Sequence, residues 1–305
     1  MAETRPRICV LGSINMDLQV LCDQLPGVGE TMIANQASYV PGGKGANQAV
    51  AAARLGADVR MVGRVGDDTF AATLLESLTS AAVDVDGVKP TSACSSGLAV
   101  VAVDSDGENQ IIVVPGANGC VSVADVEAAK SVIEASDMLL LQLEVPTDAV
   151  AAAIRIAKAA GVTTMLDPAP VPDEWHPAFN DVDILVPNRS EALAITGRKN
   201  DHDAAHELCQ STGGTIVVTL GDQGCRICTG TESQVLRSRP IAAVDSTGAG
   251  DAFAAAFGVH FSRFNDVDAA ANFANASAAL ACTRRGAQSG LPTWDEVTGI
   301  LDLSH

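Results

Sequence analysis

Apolar residues along the chain fall into two alternating kinds of segment. Short runs rich in Val, Ile and Leu are typical of buried strands, whereas Ala-rich stretches between them are typical of packed helices. The predicted strands lie at 8–12, 59–63, 138–143, 162–166, 184–186 and 216–220, and the first two helices at 46–55 and 68–78. This alternation predicts an α/β fold in which helices cover both faces of a doubly wound, mostly parallel sheet in three layers.

Two segments depart from this pattern. Residues 17–20 alternate between polar and apolar, and residues 30–34 have the composition of a further strand. Residues 97–103 and 110–114 are apolar runs on either side of the turn at 104–107, which predicts a hairpin. We therefore expect insertions at about 16–40 and 97–115 to form a small antiparallel lid sheet on a single domain spanning 1–305.

Composition restricts the classes of function. Apolar residues make up 47% of the 305 residues and aromatic residues only 3%, so the core is expected to consist of Ala, Val, Leu and Ile. A net charge of −18 argues against a nucleic-acid partner, because binding to phosphate backbones needs clustered Lys and Arg. No apolar run reaches the ~18 residues of a membrane span. We expect a cytoplasmic protein without a membrane partner.

Cysteine and histidine offer weak candidates for metal sites. Eight cysteines are too few for a disulfide framework in a chain of this length, and they suit a reducing compartment. Cys225 and Cys228 form a single CxxC inside a predicted strand, where buried thiols are expected in preference to a metal or redox site. His202 and His206 have the i, i+4 spacing of zinc ligands, but a solvated helix face is expected because no third ligand follows.

The segment from Asp245 to Asp251 carries the strongest chemical signal. Two carboxylates flank a turn of small residues, and an apolar helix follows directly. Backbone N–H groups at a helix N-terminus attract anions, and small side chains allow close approach. The backbone of Gly248, Ala249 and Gly250 is predicted to form an anion hole, with Asp251 as a base at the same helix end. This combination predicts a phosphoryl-transfer centre.

A second glycine turn, at 42–45, also opens a helix. It differs from a phosphate-binding P-loop because Gly45 stands in the place of the required Ser or Thr. The turn at 248–250 likewise fails the dinucleotide fingerprint, because Phe253 occupies the third glycine position. The first turn could be an ordinary glycine-capped helix start or part of a ligand site.

Together the two turns resemble a known family. Residues 41–56 and 245–257 are similar to the two signatures of the ribokinase-like sugar kinases, also called the phosphofructokinase-B family. Four further segments resemble the ribose-phosphorylating branch of that family, at 12–17, 142–144, 167–170 and 283–288. The resemblance implies ATP-dependent phosphorylation of D-ribose to D-ribose 5-phosphate, with Mg²⁺ and a K⁺ activator. Fructose, deoxyribose, adenosine or pseudouridine kinases on this fold are alternatives, as is an inactive sugar-binding regulator.

The resemblance also implies site residues. Sugar contacts fall on Asn15, Asp17, Gly43, Lys44, Asn47, Glu144 and the base Asp251. ATP contacts fall on Asn188, Thr219, Gly221, Asp222, Gly224, Gly250 and Asn275. Taken alone, three of these residues have structural alternatives. Asp17 could end a strand, Glu144 could cap the following helix, and Asn275 could form helix–helix hydrogen bonds.

The resemblance implies two cation sites, and the patterning of the lid sheet predicts a dimer. Glu191, beside Asn188, would hold Mg²⁺ through water, although Asn at an N-cap with Glu three residues later is also a capping box. The monovalent cation would lie near Asp245, Thr247, Ala281, Arg284, Gly286 and Gly290, mostly through backbone carbonyls. Gly290 stands where relatives often carry Ser. The exposed edge and apolar face of the lid sheet predict a homodimer.

Overall fold

The computed structural model describes residues 5–105 and 109–302. Within these ranges the strands are β1 (Arg7–Leu11), β2 (Asn15–Leu21), β3 (Gln36–Gly42), β4 (Asp58–Val65), β5 (Val83–Pro90), β6 (Gly97–Val103), β7 (Asn109–Val114), β8 (Met138–Leu141), β9 (Thr163–Leu166), β10 (Ile184–Leu185), β11 (Thr215–Thr219), β12 (Cys225–Thr229) and β13 (Glu232–Leu236). The helices are α1 (Lys44–Arg54), α2 (Thr69–Ser80), α3 (Val123–Ala128), α4 (Lys130–Glu134), α5 (Thr147–Ala160), α6 (Arg189–Thr196), α7 (Asp201–Thr212), α8 (Ala249–Phe264), α9 (Val267–Cys282) and α10 (Trp294–Asp302). Short 3₁₀ turns lie at Gly116–Cys120, Pro177–Asp181 and Gly221–Gln223.

The main sheet has the spatial order β13-β12-β11-β10-β9-β8-β1-β4-β5. Strands from β5 across to β11 pair in parallel, and β12 and β13 add antiparallel partners at one edge. From β1 the chain winds outward through β4 and β5 in one direction, and later through β8 to β11 in the other. The order therefore reverses between β1 and β8, the position at which open α/β sheets bind ligands.

Each face of the main sheet packs against its own layer of helices. In β1, Ile8 and Val10 join the core formed with α1, α2, α8, α9 and α10. Cys9 and Leu11 point the other way, into the core formed with α3 to α7. Successive side chains of a strand face opposite sides of a sheet, so a strand apolar at every position is buried on both faces. The predicted three-layer fold is confirmed.

The lid sheet has the order β3-β2-β6-β7. Its outer pairs, β2–β3 and β6–β7, are antiparallel as expected, while the central pair β2–β6 is parallel. The strand predicted at 30–34 is wrong, because these residues form a loop and the strand begins at Gln36. The register explains the shift, since Leu21 pairs with Gln36 and Asn15 with Gly42. The predicted turn at 104–107 lies partly outside the described residues.

Two further observations concern the molecule as a whole. None of the helices in the described ranges is both long enough and apolar enough to span a membrane.

All eight cysteines are free thiols, and Cys225 and Cys228 are buried as expected. His206 Nδ1 lies 3.6 Å from Cys228 Sγ, and the His202 and His206 rings are in edge contact. Across residues 5–105 and 109–302, no group of three or more His, Cys, Asp or Glu side chains is arranged to hold a metal ion.

Candidate active site

The site begins at the switch point of the main sheet. Gly12 follows β1 and Gln142 follows β8, and these strands are neighbours in the sheet. A Cβ at Gly12 would lie 2.0 Å from Gln142 Oε1 and 2.8 Å from the Gly45 Cα, so glycine at position 12 leaves room for the Gln142 side chain and for the start of α1. Polar side chains after adjacent parallel strands therefore meet at one edge of the sheet.

The glycine turn before α1 brings this helix onto the lid. Gly43 has φ of 90°, a left-handed conformation that favours glycine, and it is the N-cap of α1. A Cβ there would lie 2.7 Å from the Asn15 backbone nitrogen at the start of β2. A Cβ at Gly42 would lie 2.1 Å from Asp17 Oδ2. The two glycines let lid residues pack directly against the beginning of the helix.

Asp251 lies in the first turn of α8 and is 6% exposed. Asn47 Nδ2 donates to its Oδ2 at 2.9 Å, and Gln48 Nε2 donates to its Oδ1 at 3.3 Å. Burial raises the pKa of the Asp251 carboxyl, while the charge of Lys44 acts in the opposite direction. A fixed carboxylate with a raised pKa is suited to accept a proton from a hydroxyl.

Buried acceptor oxygens gather near this carboxylate. Within the described ranges, Asp17 Oδ1, Asn47 Oδ1 and Gln142 Oε1 are buried and accept no hydrogen bond from the protein. Burial, together with the charges of Glu144 and Asp251, raises the pKa of Asp17 to about 7. Buried polar atoms without partners are uncommon in folded proteins, and at a site they indicate a ligand that donates hydrogen bonds.

The other predicted sugar contacts are held by specific neighbours. Asn15 Oδ1 accepts from Asn118 Nδ2 at 2.6 Å. Glu144 Oε2 accepts from Ser13 Oγ at 2.5 Å and from the Lys44 N–H at 3.2 Å. Glu144 therefore does not cap α5, whose N-cap residue makes no side-chain bond. Asp17 lies inside β2 rather than at its end.

A cavity of about 940 Å³ adjoins the start of α8. Predicted ATP contacts among its lining residues are Thr219, Gly221, Asp222, Gly224, Gly250 and Asn275. Asn275 Nδ2 also donates to the Leu236 carbonyl at 3.4 Å and lies 3.5 Å from Cys225 Sγ. These contacts connect α9 to the strands β13 and β12, whereas the sequence alternative was a contact between two helices.

Asn188 and Glu191 form a capping box at the start of α6. Asn188 Oδ1 accepts from the Glu191 N–H at 2.9 Å, and Glu191 Oε2 accepts from the Asn188 N–H at 2.7 Å. The charge of Glu191 also contributes to the raised pKa values of Lys44 and Asp167, which places it within electrostatic reach of the site. The cap is present, and a role with Mg²⁺ stays a prediction.

The predicted anion hole begins at a residue in the left-handed conformation. Gly248 has φ of 78°, and a Cβ there would lie 3.0 Å from Ala287 Cα. The Ala249 N–H donates to the Ser246 carbonyl at 3.1 Å, so this donor is already engaged. The remaining predicted donors are the N–H groups of Gly248 and Gly250.

The predicted cation loop is tied together by Asp245. Its Oδ1 accepts from the Thr247 N–H at 2.9 Å, and its Oδ2 accepts from the Gly286 N–H at 2.8 Å. Three carbonyls surround Gly290, since a Cβ there would lie 2.8 Å from the Gly286 oxygen, 3.2 Å from that of Ala281 and 3.5 Å from that of Arg284. Carbonyl oxygens are suitable ligands for a hard cation.

Comparison with known proteins places this geometry in a family. A family model described as pfkB family carbohydrate kinase matches residues 5–294. The chain belongs to this family. A Bacillus subtilis ribokinase is 39% identical over 96% of this chain and 99% of the relative, and a Salmonella typhi deoxyribokinase is 35% identical over 98% and 99%. The structure of an Arabidopsis thaliana ribokinase complexed with ribose and ATP matches with a TM-score of 0.88 at 32% identity, over 99% of this chain and 100% of that one.

In this pfkB-family kinase, several residues at the site were not predicted from the sequence. Gln48 donates a hydrogen bond to Asp251 directly, and Asp167 is connected to Asp251 through the Gln48 amide. Asn118 donates a hydrogen bond to Asn15. Asp167 could have been found, because it is the first residue after a strand ending at the same sheet edge as β1 and β8. Arg237 and Arg239 also line the large cavity, in a segment without regular structure and without a sequence signal.

Proposed function

We propose that this kinase transfers the γ-phosphoryl group of ATP to the 5-hydroxyl of D-ribose. The observation that carries this proposal is the set of buried acceptor oxygens of Asp17, Asn47 and Gln142, which lack protein donors within the described ranges. Carboxylate and amide oxygens in that position match a small molecule with several hydroxyl groups. The relatives named ribokinase and the neighbour holding ribose and ATP support the same conclusion.

In the proposed mechanism Asp251 accepts the hydroxyl proton as the sugar oxygen attacks the γ-phosphorus. Asn47 and Gln48 hold the carboxylate so that it faces the acceptor. The N–H groups of Gly248 and Gly250, with the dipole of the 16-residue α8, stabilise the charge that develops on the transferring group. The lid sheet, which carries Asn15 and Asp17, covers the sugar and excludes water.

Two cations complete the proposal. Mg²⁺ would neutralise charge on the polyphosphate, and Glu191 is the residue proposed to hold its water shell. The carbonyls of Ala281, Arg284 and Gly286 are proposed to bind K⁺, in the loop that Asp245 fastens. Because the Gly286 N–H and Asp245 connect this loop to the turn before α8, a bound cation would stiffen the anion hole.

A substrate scan tests the proposal. ATP consumption is measured in a coupled assay with ribose, 2-deoxyribose, fructose, adenosine and pseudouridine, each with Mg²⁺ and with or without K⁺. The highest kcat/KM is expected for ribose, and the product should be the 5-phosphate by NMR. Equal rates with fructose would contradict the ribose assignment.

Deoxyribose is the second candidate substrate, because one close relative is a deoxyribokinase. The two sugars differ by the 2-hydroxyl, and a buried acceptor left without that donor costs about 1–3 kcal/mol. If acceptors in this site face the 2-hydroxyl, ribose should be preferred by at least about fivefold. Binding of ribose without turnover of any sugar would instead favour an inactive regulator.

We further propose that the enzyme is a cytoplasmic homodimer joined through its lid sheets. β7 is an edge strand, and four of its residues, Ile111, Ile112, Val113 and Val114, are exposed. Tyr39 on β3 is also exposed. An exposed apolar strand at a sheet edge favours association, and a second lid sheet offers a complementary apolar surface.

A further inference from the structure

Asp167 is a buried carboxylate for which the proposed mechanism has no role. It follows β9 and is 7% exposed. Lys44 Nζ lies 4.0 Å from Asp167 Oδ2. Among the described residues, Asp167 provides the carboxylate that forms an ion pair with Lys44. The same oxygen accepts a hydrogen bond from Gln48 Nε2 at 3.0 Å. Asp167 thus joins two side chains of the first turns of α1.

Gln48 connects Asp167 to the proposed base. Gln142 Nε2 donates to Gln48 Oε1 at 2.5 Å. Because this bond fixes the amide oxygen of Gln48 toward Gln142, the amide nitrogen of Gln48 points toward the two carboxylates. That nitrogen has two hydrogens, and it lies 3.0 Å from Asp167 Oδ2 and 3.3 Å from Asp251 Oδ1. One amide therefore sets the relative positions of the two carboxylates.

The charges around Asp167 come from several elements. Lys44 approaches from α1, Asp251 from α8, Glu191 from α6 and Glu144 from the connection after β8. Burial raises the pKa of Asp167 to about 7, and the Lys44 charge opposes this effect. Burial alone would lower the pKa of the Lys44 ammonium, but Asp167, Asp251 and Glu144 raise it above its usual range. Lys44 is consequently a cation that several carboxylates could attract.

We propose that Asp167 is a positioning residue of the phosphoryl transfer, which holds the Lys44 ammonium and the Gln48 amide so that Asp251 meets the acceptor hydroxyl without an ammonium partner. The proposal rests on the proposed role of Asp251 as base. A carboxylate paired with an ammonium has a lower pKa and accepts a proton less readily. Asp167 supplies an alternative partner for Lys44 and leaves the base available.

The variant Asp167→Asn tests this role, because it removes the charge and retains the shape and the acceptor oxygen for Gln48. We expect kcat to fall about tenfold, since Lys44 turns to Asp251, while both KM values stay within about threefold. The acid limb of the kcat/KM profile should move to lower pH and change from two ionisations to one. Asp167→Glu, which restores the charge, should recover the two-ionisation limb.

Asp173→Asn, at an exposed loop position, is the matched control and should leave kcat and the pH profile unchanged. A variant Asp167→Asn with unchanged kcat would overturn the proposal, as would a reduced kcat with an unmoved acid limb. If Asp167→Asn does not fold, Gln142→Met tests the amide contact with all charges present, and kcat is measured at saturating sugar because Gln142 Oε1 is also a proposed sugar acceptor. It should lower kcat several-fold without moving the acid limb, and an unchanged kcat would count against the proposal.

The assays use the sugar that the wild type phosphorylates fastest in the substrate scan. A wild-type protein without turnover on any sugar would contradict the proposed function, whereas normal wild-type turnover with an unaffected Asp167→Asn would contradict only the role of Asp167.

Discussion

Asp251 and Asp17 are carboxylates whose ionised forms are disfavoured by burial. Their polar neighbours differ, since Asp251 receives two amide hydrogen bonds, whereas Asp17 Oδ1 receives none from the described residues. In the proposed mechanism, Asp251 is therefore oriented for proton transfer before substrate arrives, and Asp17 Oδ1 is an acceptor for the sugar. Each arrangement leads to a test by a single substitution.

Asp251→Asn should reduce kcat by about 10²–10⁴-fold, because the amide cannot accept the hydroxyl proton. Sugar affinity measured by calorimetry should stay within about threefold, since the amide occupies the same volume. Asp148→Asn, an exposed acidic residue in the first turn of α5, is the control and should be fully active. Wild-type turnover by Asp251→Asn would show that another group is the base.

Asp17→Asn should stabilise the free protein at alkaline pH and weaken sugar binding. The folded-state pKa of about 7 lies above the ordinary value, so protonated Asp17 favours folding at low pH and this contribution is lost as pH rises through 7. Thermal unfolding should show a higher Tm for the variant at pH 8 and a smaller loss of Tm between pH 5.5 and 8. Sugar affinity should fall about tenfold.

Asp86→Asn, at an exposed position on β5, controls for the substitution itself and should leave the pH dependence of Tm unchanged. A pH dependence of Tm that is equally steep in Asp17→Asn and wild type would show that Asp17 does not titrate in this range.

At the scale of elements, the turn before α8 depends on a contact between two loops. Gly248 takes a left-handed conformation and lies against Ala287, whose loop is fastened by the bond from the Gly286 N–H to Asp245. The proposed anion hole and the proposed cation loop therefore share one packing contact. A substitution that shifts the turn at Gly248 is therefore expected to shift the loop at Ala287 as well.

Gly248→Ala should lower both stability and turnover. A left-handed non-glycine residue costs about 1–2 kcal/mol in unfolding free energy, and here the added methyl group would also displace Ala287. Gly161→Ala is the matched control, because Gly161 has φ of 72° but no atom within 4 Å of the added Cβ. Denaturant unfolding should show a larger loss for Gly248→Ala, and only this variant should lose kcat. Equal losses in both variants would show that contact with Ala287 is unimportant.

At the scale of the whole molecule, the lid sheet is proposed to take part in both sugar binding and subunit association. β2 carries Asn15 and Asp17, and it lies in the same four-stranded sheet as the exposed edge strand β7. A second subunit pairing with β7 would restrain the sheet that is proposed to cover the sugar. We therefore expect oligomeric state and sugar affinity to change together.

Ile112→Lys should convert a dimer into a monomer, because Ile112 is 66% exposed at the centre of β7 and a buried lysine at an interface is unfavourable. Light scattering after size-exclusion chromatography measures the mass, and Val123→Lys, an exposed apolar position on α3, is the control. Sugar KM should rise in the monomer. A wild-type protein that elutes as a monomer would contradict the lid-mediated dimer.

The sequence by itself determined the layered fold and both glycine turns, because strands buried on two faces and glycine-opened helices leave local patterns. It also placed Glu144 shortly after a strand that borders the switch point, whereas Asn15 and Asp17, on the lid strand β2, were indicated by the family resemblance. Local patterns did not locate β3, whose position follows from its register with β2.

The tertiary structure decided which groups act together. Gln48 and Asp167 are 119 residues apart, and their contact depends on the order of strands in the sheet. Likewise, the buried oxygens of Asp17, Asn47 and Gln142 lack donors within the described residues because of the way distant segments pack around them. The types of residue in a motif can be read from the sequence, and they indicate which chemistry is possible. The distances between these residues, their burial and the coupling of their charges depend on the folded chain.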